Sequence, residues 1–234
     1  MKYRKTSLDA APRRWSFSCF KRLLIVFLFA LALPASAKEN RPGIFDYYVL
    51  ALSWSPTYCA TTGDARGDEQ CAPRRNYAFV VHGLWPQFNQ GWPQDCQVRD
   101  SWVPRDVIDG MMDIMPSRGL IIHEWKKHGT CSGLSVDDYF QSVRYGFKKV
   151  LIPARYLSPQ ATVKTTPQQL VTDFVKTNRG LTQDMLSVQC GNSRDEARLS
   201  ELRICFDKQG EFRRCGVNEQ RSCRARVLVM PPVR

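Results

Sequence analysis

His123, Glu124, Lys127 and His128 fall within six residues in the stretch I-I-H-E-W-K-K-H-G-T-C, Ile121–Cys131. At about 100° per residue on a helix, these four side chains span an arc of roughly 140°, with Trp125 and Lys126 turned away. One helix face would then carry two imidazoles, a carboxylate and an ammonium. The chain has three histidines, and the third, His82, stands in a second dense stretch, F-V-V-H-G-L-W-P-Q, Phe79–Gln87. Imidazoles titrate near pH 6.5, so two of them on separate elements can serve as an acid and a base together. A lone histidine, or a Glu and Lys one turn apart, is ordinarily a packed or solvated residue. That reading does not explain three of three histidines in two such stretches.

A metal is the first alternative. His-Glu opens the zinc signature H-E-x-x-H, whose second histidine comes four residues on and faces the same ion. Here position 127 is Lys and His128 is five on, displaced from His123 by about 140°. No C-x-x-C pair occurs either. The spacing therefore predicts no metal site and no cofactor.

H-G-L-W-P at His82–Pro86 and H-E-W-K-K-H-G-T-C at His123–Cys131 resemble the two active-site segments of the T2 family of ribonucleases. The similarity runs from about Phe45, in F-D-Y-Y-V-L-A-L-S-W-S-P, to the last cysteine. This resemblance implies an endoribonuclease that cuts single-stranded RNA without a metal. The products would be 2′,3′-cyclic phosphate and then 3′-phosphate ends, with low base specificity. It implies His128 as base and His82 as acid in the first step, His123 as holder of the phosphate, and Lys127 as fixed positive charge on the phosphorane. Glu124 joins them as a catalytic residue. It stands four residues before His128, so the two are expected to touch, which would orient that imidazole and raise its pKa. Trp85 is expected to stack on a base, with burial as an ordinary core tryptophan the alternative. Gln87 stands where some relatives carry an acidic residue that selects purines, and an amide both donates and accepts. Pro116-Ser117 resembles the second-base subsite. The implied disulfides are Cys59–Cys71, Cys96–Cys131, Cys190–Cys223 and Cys205–Cys215. A non-catalytic secreted RNA- or glycan-binding protein on the same fold is the competing class, and it would be expected to lack a catalytic histidine.

Residues 1–37 read as a secretory signal. A basic segment ends at Lys21-Arg22, an eleven-residue apolar run covers Leu23–Leu33, and Pro34-Ala35-Ser36-Ala37 offers small residues for cleavage. The run is too short to span a bilayer, which needs about 20 residues. Removal of the leader takes away seven basic residues and one acidic residue, so the formal charge falls from +12 to +6. That excess suits a polyanionic partner such as RNA. No stable DNA partner and no membrane span are expected, and the protein is expected to be a monomer. Cys19 leaves with the leader, and eight cysteines remain. An even count in an exported chain suggests four disulfides, and composition alone leaves 105 pairings open. An exported protein, periplasmic or secreted, with one domain over 38–234, is the expectation.

The elements that would position the site follow from periodicity and caps. Phe45–Trp54 reads as a buried strand, and Gly63–Cys71 as a polar loop. Tyr77–Val81 reads as a strand with His82 at its end, before a Gly/Pro/aromatic loop. Val107–Met115 reads as a helix capped by Asp106 and stopped at Pro116. The helix carrying His123 follows and breaks at Gly129. Ser135 caps a helix to about Val150 with Tyr139, Val143, Phe147 and Val150 as its core stripe. Thr166-Pro167-Gln168-Gln169 is a capping box for a helix to about Thr177. Met185–Cys190, Arg198–Phe206 and Cys223–Met230 are strand candidates, with a turn at Lys208-Gln209-Gly210. Strands and helices do not alternate regularly. The class is therefore α+β, a central mainly antiparallel sheet with helices packed on it, stapled by disulfides.

Overall fold

The run Y-Y-V-L-A-L-S-W becomes β1 (Tyr47–Trp54), and nearly every residue of it is buried. Its side chains alternate between two cores. Tyr48, Leu50, Leu52 and Trp54 enter the larger one, while Tyr47, Val49 and Ala51 enter a smaller one with Trp85 and Cys205. A strand covered on both faces has no reason to alternate polar and apolar, which is why its sequence is almost continuously hydrophobic. A computed structural model describes residues 40–99 and 101–234. The leader-like segment 1–37 lies outside the described residues.

The fold is α+β. Among the described residues the sheet has six strands: β1, β2 (Phe79–Gln87), β3 (Val163–Thr165), β4 (Leu186–Cys190), β5 (Glu196–Phe206) and β6 (Val227–Met230). Their order is β2-β1-β5-β6-β3, and β4 pairs with β5. All pairings are antiparallel except β5 with β6. The helices are α1 (residues 55–66, with a wider turn in its middle), α2 (Arg105–Met111), α3 (Arg118–Lys127), α4 (Val136–Lys149) and α5 (Pro167–Thr177). Among the described residues no helix is long and apolar enough to cross a membrane. Disulfides join Cys59 to Cys71, Cys96 to Cys131, Cys190 to Cys223 and Cys205 to Cys215.

Local caps form where the sequence offers them. Ser135 accepts from Asp138 N–H and opens α4, whose Tyr139 and Val143 are fully buried. Thr166 accepts from Gln169 N–H and opens α5. The box is only half made, because the Gln169 amide turns to Asp173 instead.

Several expectations are corrected. Gly63–Cys71 is not a loop throughout: α1 runs into it as far as Arg66, and a short helical turn covers Glu69–Cys71. The helix expected over Val107–Met115 begins earlier, at Arg105 behind Pro104, and ends at Met111. Asp106 therefore sits in the first turn, where a carboxylate favours the helix dipole, and does not cap. The strand expected to stop at Val81 continues to Gln87, so His82 stands inside β2. Proline is tolerated there because β2 is the edge of the sheet, where a missing N–H breaks no ladder.

Two β-bulges set the face on which the site is built. Ala51 pairs with Gly83 and Leu52 with Val81, which leaves His82 as an extra residue in β2. Gln189 pairs with Glu201 and Cys190 with Leu199, which leaves Ser200 extra in β5. Beyond each bulge the alternation is shifted by one. His82 and Trp85 thus share a face although three residues apart, and Glu201 and Arg203 come to that same face beside them.

Candidate active site

His82, Trp85, Gln87, His123, Glu124, Lys127 and His128 line one cleft of about 360 Å³. Strand β2 supplies the first three and α3 with its C-terminal cap supplies the rest. Two anchors fix α3. Ile121 and Trp125 are buried in the larger core, and Glu69 accepts from Arg118 N–H at 2.6 Å at the helix start. Ser117 Oγ donates to Asp68 at 3.3 Å from the same region. Pro116 and Ser117 are buried, and Ser117 shares a small second cavity with His82, Tyr58 and Gln70. Ser117 thus reaches the far side of His82 and also ties down the helix.

The two imidazoles assigned to proton transfer flank one indole. The Trp85 ring centroid lies 5.2 Å from His82 and 5.4 Å from His128. Their surroundings are opposite. His128 is 8% exposed, and its Nδ1 is buried without a hydrogen-bond partner among the described residues. Burial, then Lys127, His82 and His123, push its pKa down to about 3. His82 Nδ1 lies 2.5 Å from Glu201 Oε1, and its Nε2 lies 3.6 Å from Glu124 Oε1. Burial alone would lower its pKa, but the hydrogen bond and charge of Glu201, with Glu124 behind, raise it. His123 is lowered by burial and by Lys127 and His82.

Glu124 does not do what its spacing suggests. It is 1% exposed, and its carboxylate accepts from Trp85 Nε1 at 2.7 Å and faces His82. The helix ends at Lys127 and His128 follows as its C-cap at φ −119°, its N–H still bonded to Glu124 O, while the Glu124 carboxylate is turned to Trp85 and His82. His128 is accordingly lowered, where contact with Glu124 would have raised it. Burial also lifts Glu124 itself to about 7, against the pull of His82, Trp85 and Lys127. Gly83 makes the contact possible, since a Cβ there would fall 2.1 Å from Glu124 Oε2.

Trp85 is 9% exposed, and Arg203 lies 4.9 Å above its ring. Its indole is a wall and a donor, with little free face for a base. Gln87 is also committed, donating to Pro86 O and accepting from Asn218. The exposed aromatic ring of the cleft is Trp92, 53% exposed beside Gln94.

Glu201, Arg203 and Glu219 complete the site and are not apparent from the motifs. Arg203 donates to Glu201 Oε2 at 2.9 Å and to Glu219 at 3.3 Å. His82, Glu201, Arg203, Trp85 and Glu124 thus form a closed ring of contacts. The one signal in the sequence is the pair of charges in L-S-E-L-R-I-C-F, an apolar strand with no reason to carry them unless they meet partners. As for metals, among the described residues the donor atoms that converge are those of Cys59, Asp64 and Cys71, and both sulfurs are spent in a disulfide.

Residues 45–215 match the model of the Ribonuclease T2 family. The chain is 42% identical over 127 residues to a ribonuclease of Aeromonas hydrophila, covering 50% of this chain and 54% of that protein. It is 29% identical over 189 residues to a probable ribonuclease of Haemophilus influenzae, covering 76% of this chain and 63% of that protein. The matches thus span less than two thirds of either relative. In fold it is similar to an RNase-related protein from Calystegia sepium, with a TM-score of 0.63 at 23% identity over 81% of this chain and 98% of that one. It is likewise similar to RNase NT, solved in complex with 5′-AMP, with a TM-score of 0.60 at 24% identity over 80% and 98%.

Proposed function

Because the chain belongs to the Ribonuclease T2 family, we propose that it is an endoribonuclease that cuts single-stranded RNA by metal-independent transesterification. RNA carries its own nucleophile, the 2′-hydroxyl next to each phosphodiester. The enzyme must take that proton, give one to the departing 5′-oxygen, and stabilise the charge on phosphorus between the two. The observation that carries this reading is the opposition of His82 and His128 in one cleft. Environments that drive two like groups apart in pKa assign their roles.

His128, neutral among cations, takes the 2′-hydroxyl proton. Its Nδ1 is buried, so the proton enters at Nε2. The 2′-oxygen attacks phosphorus, the bond to O5′ breaks, and protonated His82 gives its proton to O5′. The products are a 2′,3′-cyclic phosphate and a free 5′-hydroxyl. Water then opens the ring with the roles exchanged, leaving a 3′-phosphate. His123 and Lys127 hold the phosphate and its developing charge. Glu124, fixed by Trp85, steers His82 from the Nε2 side. Trp92, with the amides of Gln94 and Asn218, offers a base-facing wall without charge selectivity, in keeping with a broad base preference. Four disulfides and the leader-like first 37 residues support export to the periplasm or the medium. One domain over 38–234, acting as a monomer, is part of the same reading.

The direct test is RNA cleavage after exhaustive chelation, with the ends identified by mass. Cyclic phosphate ends formed at an undiminished rate are expected. Activity that disappears and returns with a divalent ion would sink the metal-free mechanism, and a folded protein that cuts nothing would favour a binding role.

Glu201 is a positioning residue in this scheme, acting on Nδ1 of His82. Glu201→Gln keeps a hydrogen-bonding group and removes the charge that raises the imidazole. The basic limb of kcat/KM should therefore move to lower pH, while the acidic limb, set by His128, stays. An unmoved basic limb would show that Glu201 serves only the fold.

A further inference from the structure

A second cleft, about 730 Å³, opens on the neighbouring flank of α3. Trp102 stands at it, 70% exposed. Among the described residues its cations are Arg105, Arg118 and Lys126, and its carboxylate is Asp109, which already holds Arg118 at 2.6 Å. Val103, Ile108 and Ile122 add apolar surface. The helix α3 is common to both clefts. Ile122 and Lys126, one turn apart, line this one, while His123 and Lys127, the next residue in each case, line the reacting one. A strand that runs past the reacting cleft and across α3 has Lys126 on the adjoining row of the same helix.

An exposed indole among cations, over apolar side chains, matches the chemistry of a single-stranded nucleic acid: a base stacks on the ring and phosphates meet the cations. We propose that this cleft is an accessory subsite for single-stranded RNA, holding a nucleotide outside the dinucleotide that is cut. The base lies on Trp102, and the phosphates lie on Arg105 and Lys126. The inference rests on the ribonuclease reading above and extends it: the enzyme favours long strands over dinucleotides.

The test uses the whole protein and a 2′-O-methyl oligoribonucleotide, which binds but lacks the nucleophile. Binding is followed by fluorescence anisotropy across a salt series. Trp102→Ala is expected to weaken binding roughly 5- to 150-fold, the worth of one stacked base, and Trp102→Phe to restore most of it. Arg105→Ala combined with Lys126→Ala is expected to flatten the slope of log K against log salt by about 1.4, from roughly 0.7 for each phosphate contact on a single strand. Cleavage of a dinucleoside monophosphate should be the same in all variants. Unchanged binding in Trp102→Ala would overturn the proposal. So would an equal loss on dinucleotide cleavage, which would locate the effect in the reacting cleft. An equal loss of affinity for inorganic polyphosphate, which has no bases, would overturn the stacking assignment. A parent protein that binds the strand with these variant losses, yet cuts nothing, would leave the subsite standing and sink the ribonuclease reading instead.

Discussion

His82→Ala and His128→Ala should each lower kcat/KM on RNA by about 10²–10⁴-fold while the protein stays folded. The double variant should lose little more than the worse single one, because one base and one acid act in a single step. The pH profile of the parent should be bell-shaped. Its acidic limb reports His128, which burial and the neighbouring cations push down to about 3. Its basic limb reports His82, which Glu201 holds above its ordinary value. His128→Ala should abolish the acidic limb and keep the basic one. If that variant keeps most of its turnover, or keeps both limbs, the base has been misassigned. Folding carries the same signature. The unfolded chain protonates this histidine near pH 6.5, whereas the folded protein resists until about pH 3. The unfolded state binds more protons in between, so stability falls as pH falls through that window. Denaturant melts should show His128→Ala less sensitive to acid over that range.

Removal of the Cys96–Cys131 disulfide should cost about 4 kcal/mol, the chain-entropy value for a loop of its 35-residue separation. The double variant Cys96→Ala, Cys131→Ala should also lose turnover beyond what unfolding explains. The bridge ties the segment after β2 to the turn just beyond His128, and Asp95 N–H bonds Lys127 O at 2.8 Å beside it. Trp92 and Gln94 belong to that segment and line the cleft. Loosening it frees one wall from the helix end that His128 caps. Urea denaturation and steady-state kinetics on the same preparation separate the two losses, and unchanged values in both would refute the staple.

What could be read from the sequence was local. Ser135 and Thr166 announce their helices because a cap needs only the next three residues. The composition of the cleft was legible because H-E-W-K-K-H lies on one helix end and H-G-L-W-P on one strand. What was hidden depends on distant partners. Glu201 is 119 residues from His82 in the chain, and only the pairing of β2 and β5 with opposite sides of β1 brings them together. The extension of β2 through Gly83 and Pro86 was masked because both residues ordinarily break strands. Each is allowed by its surroundings: Gly83 by the carboxylate pressed against it, Pro86 by the free edge. The contact of Glu124 with His82 was hidden for a related reason. Spacing on an ideal helix places Glu124 against His128, whereas the carboxylate is taken by Trp85 and His82, partners on a strand distant in the chain.

The extra residue in β2 has a consequence for how this chain can vary. Val81 and Leu84 both enter the larger core, with two residues between them where strict alternation allows one. The length of that short stretch works as a parity bit for the whole strand. Exchanging one side chain for another perturbs the site by degrees. Deleting a single residue there flips the parity, so that either Trp85 and Gln87 turn inward or Phe79 and Val81 turn outward. A deletion of one residue should therefore cost folding stability that a substitution such as His82→Ala leaves intact. Over this stretch the fold sets the number of residues, and the site sets the identities of His82 and Gly83.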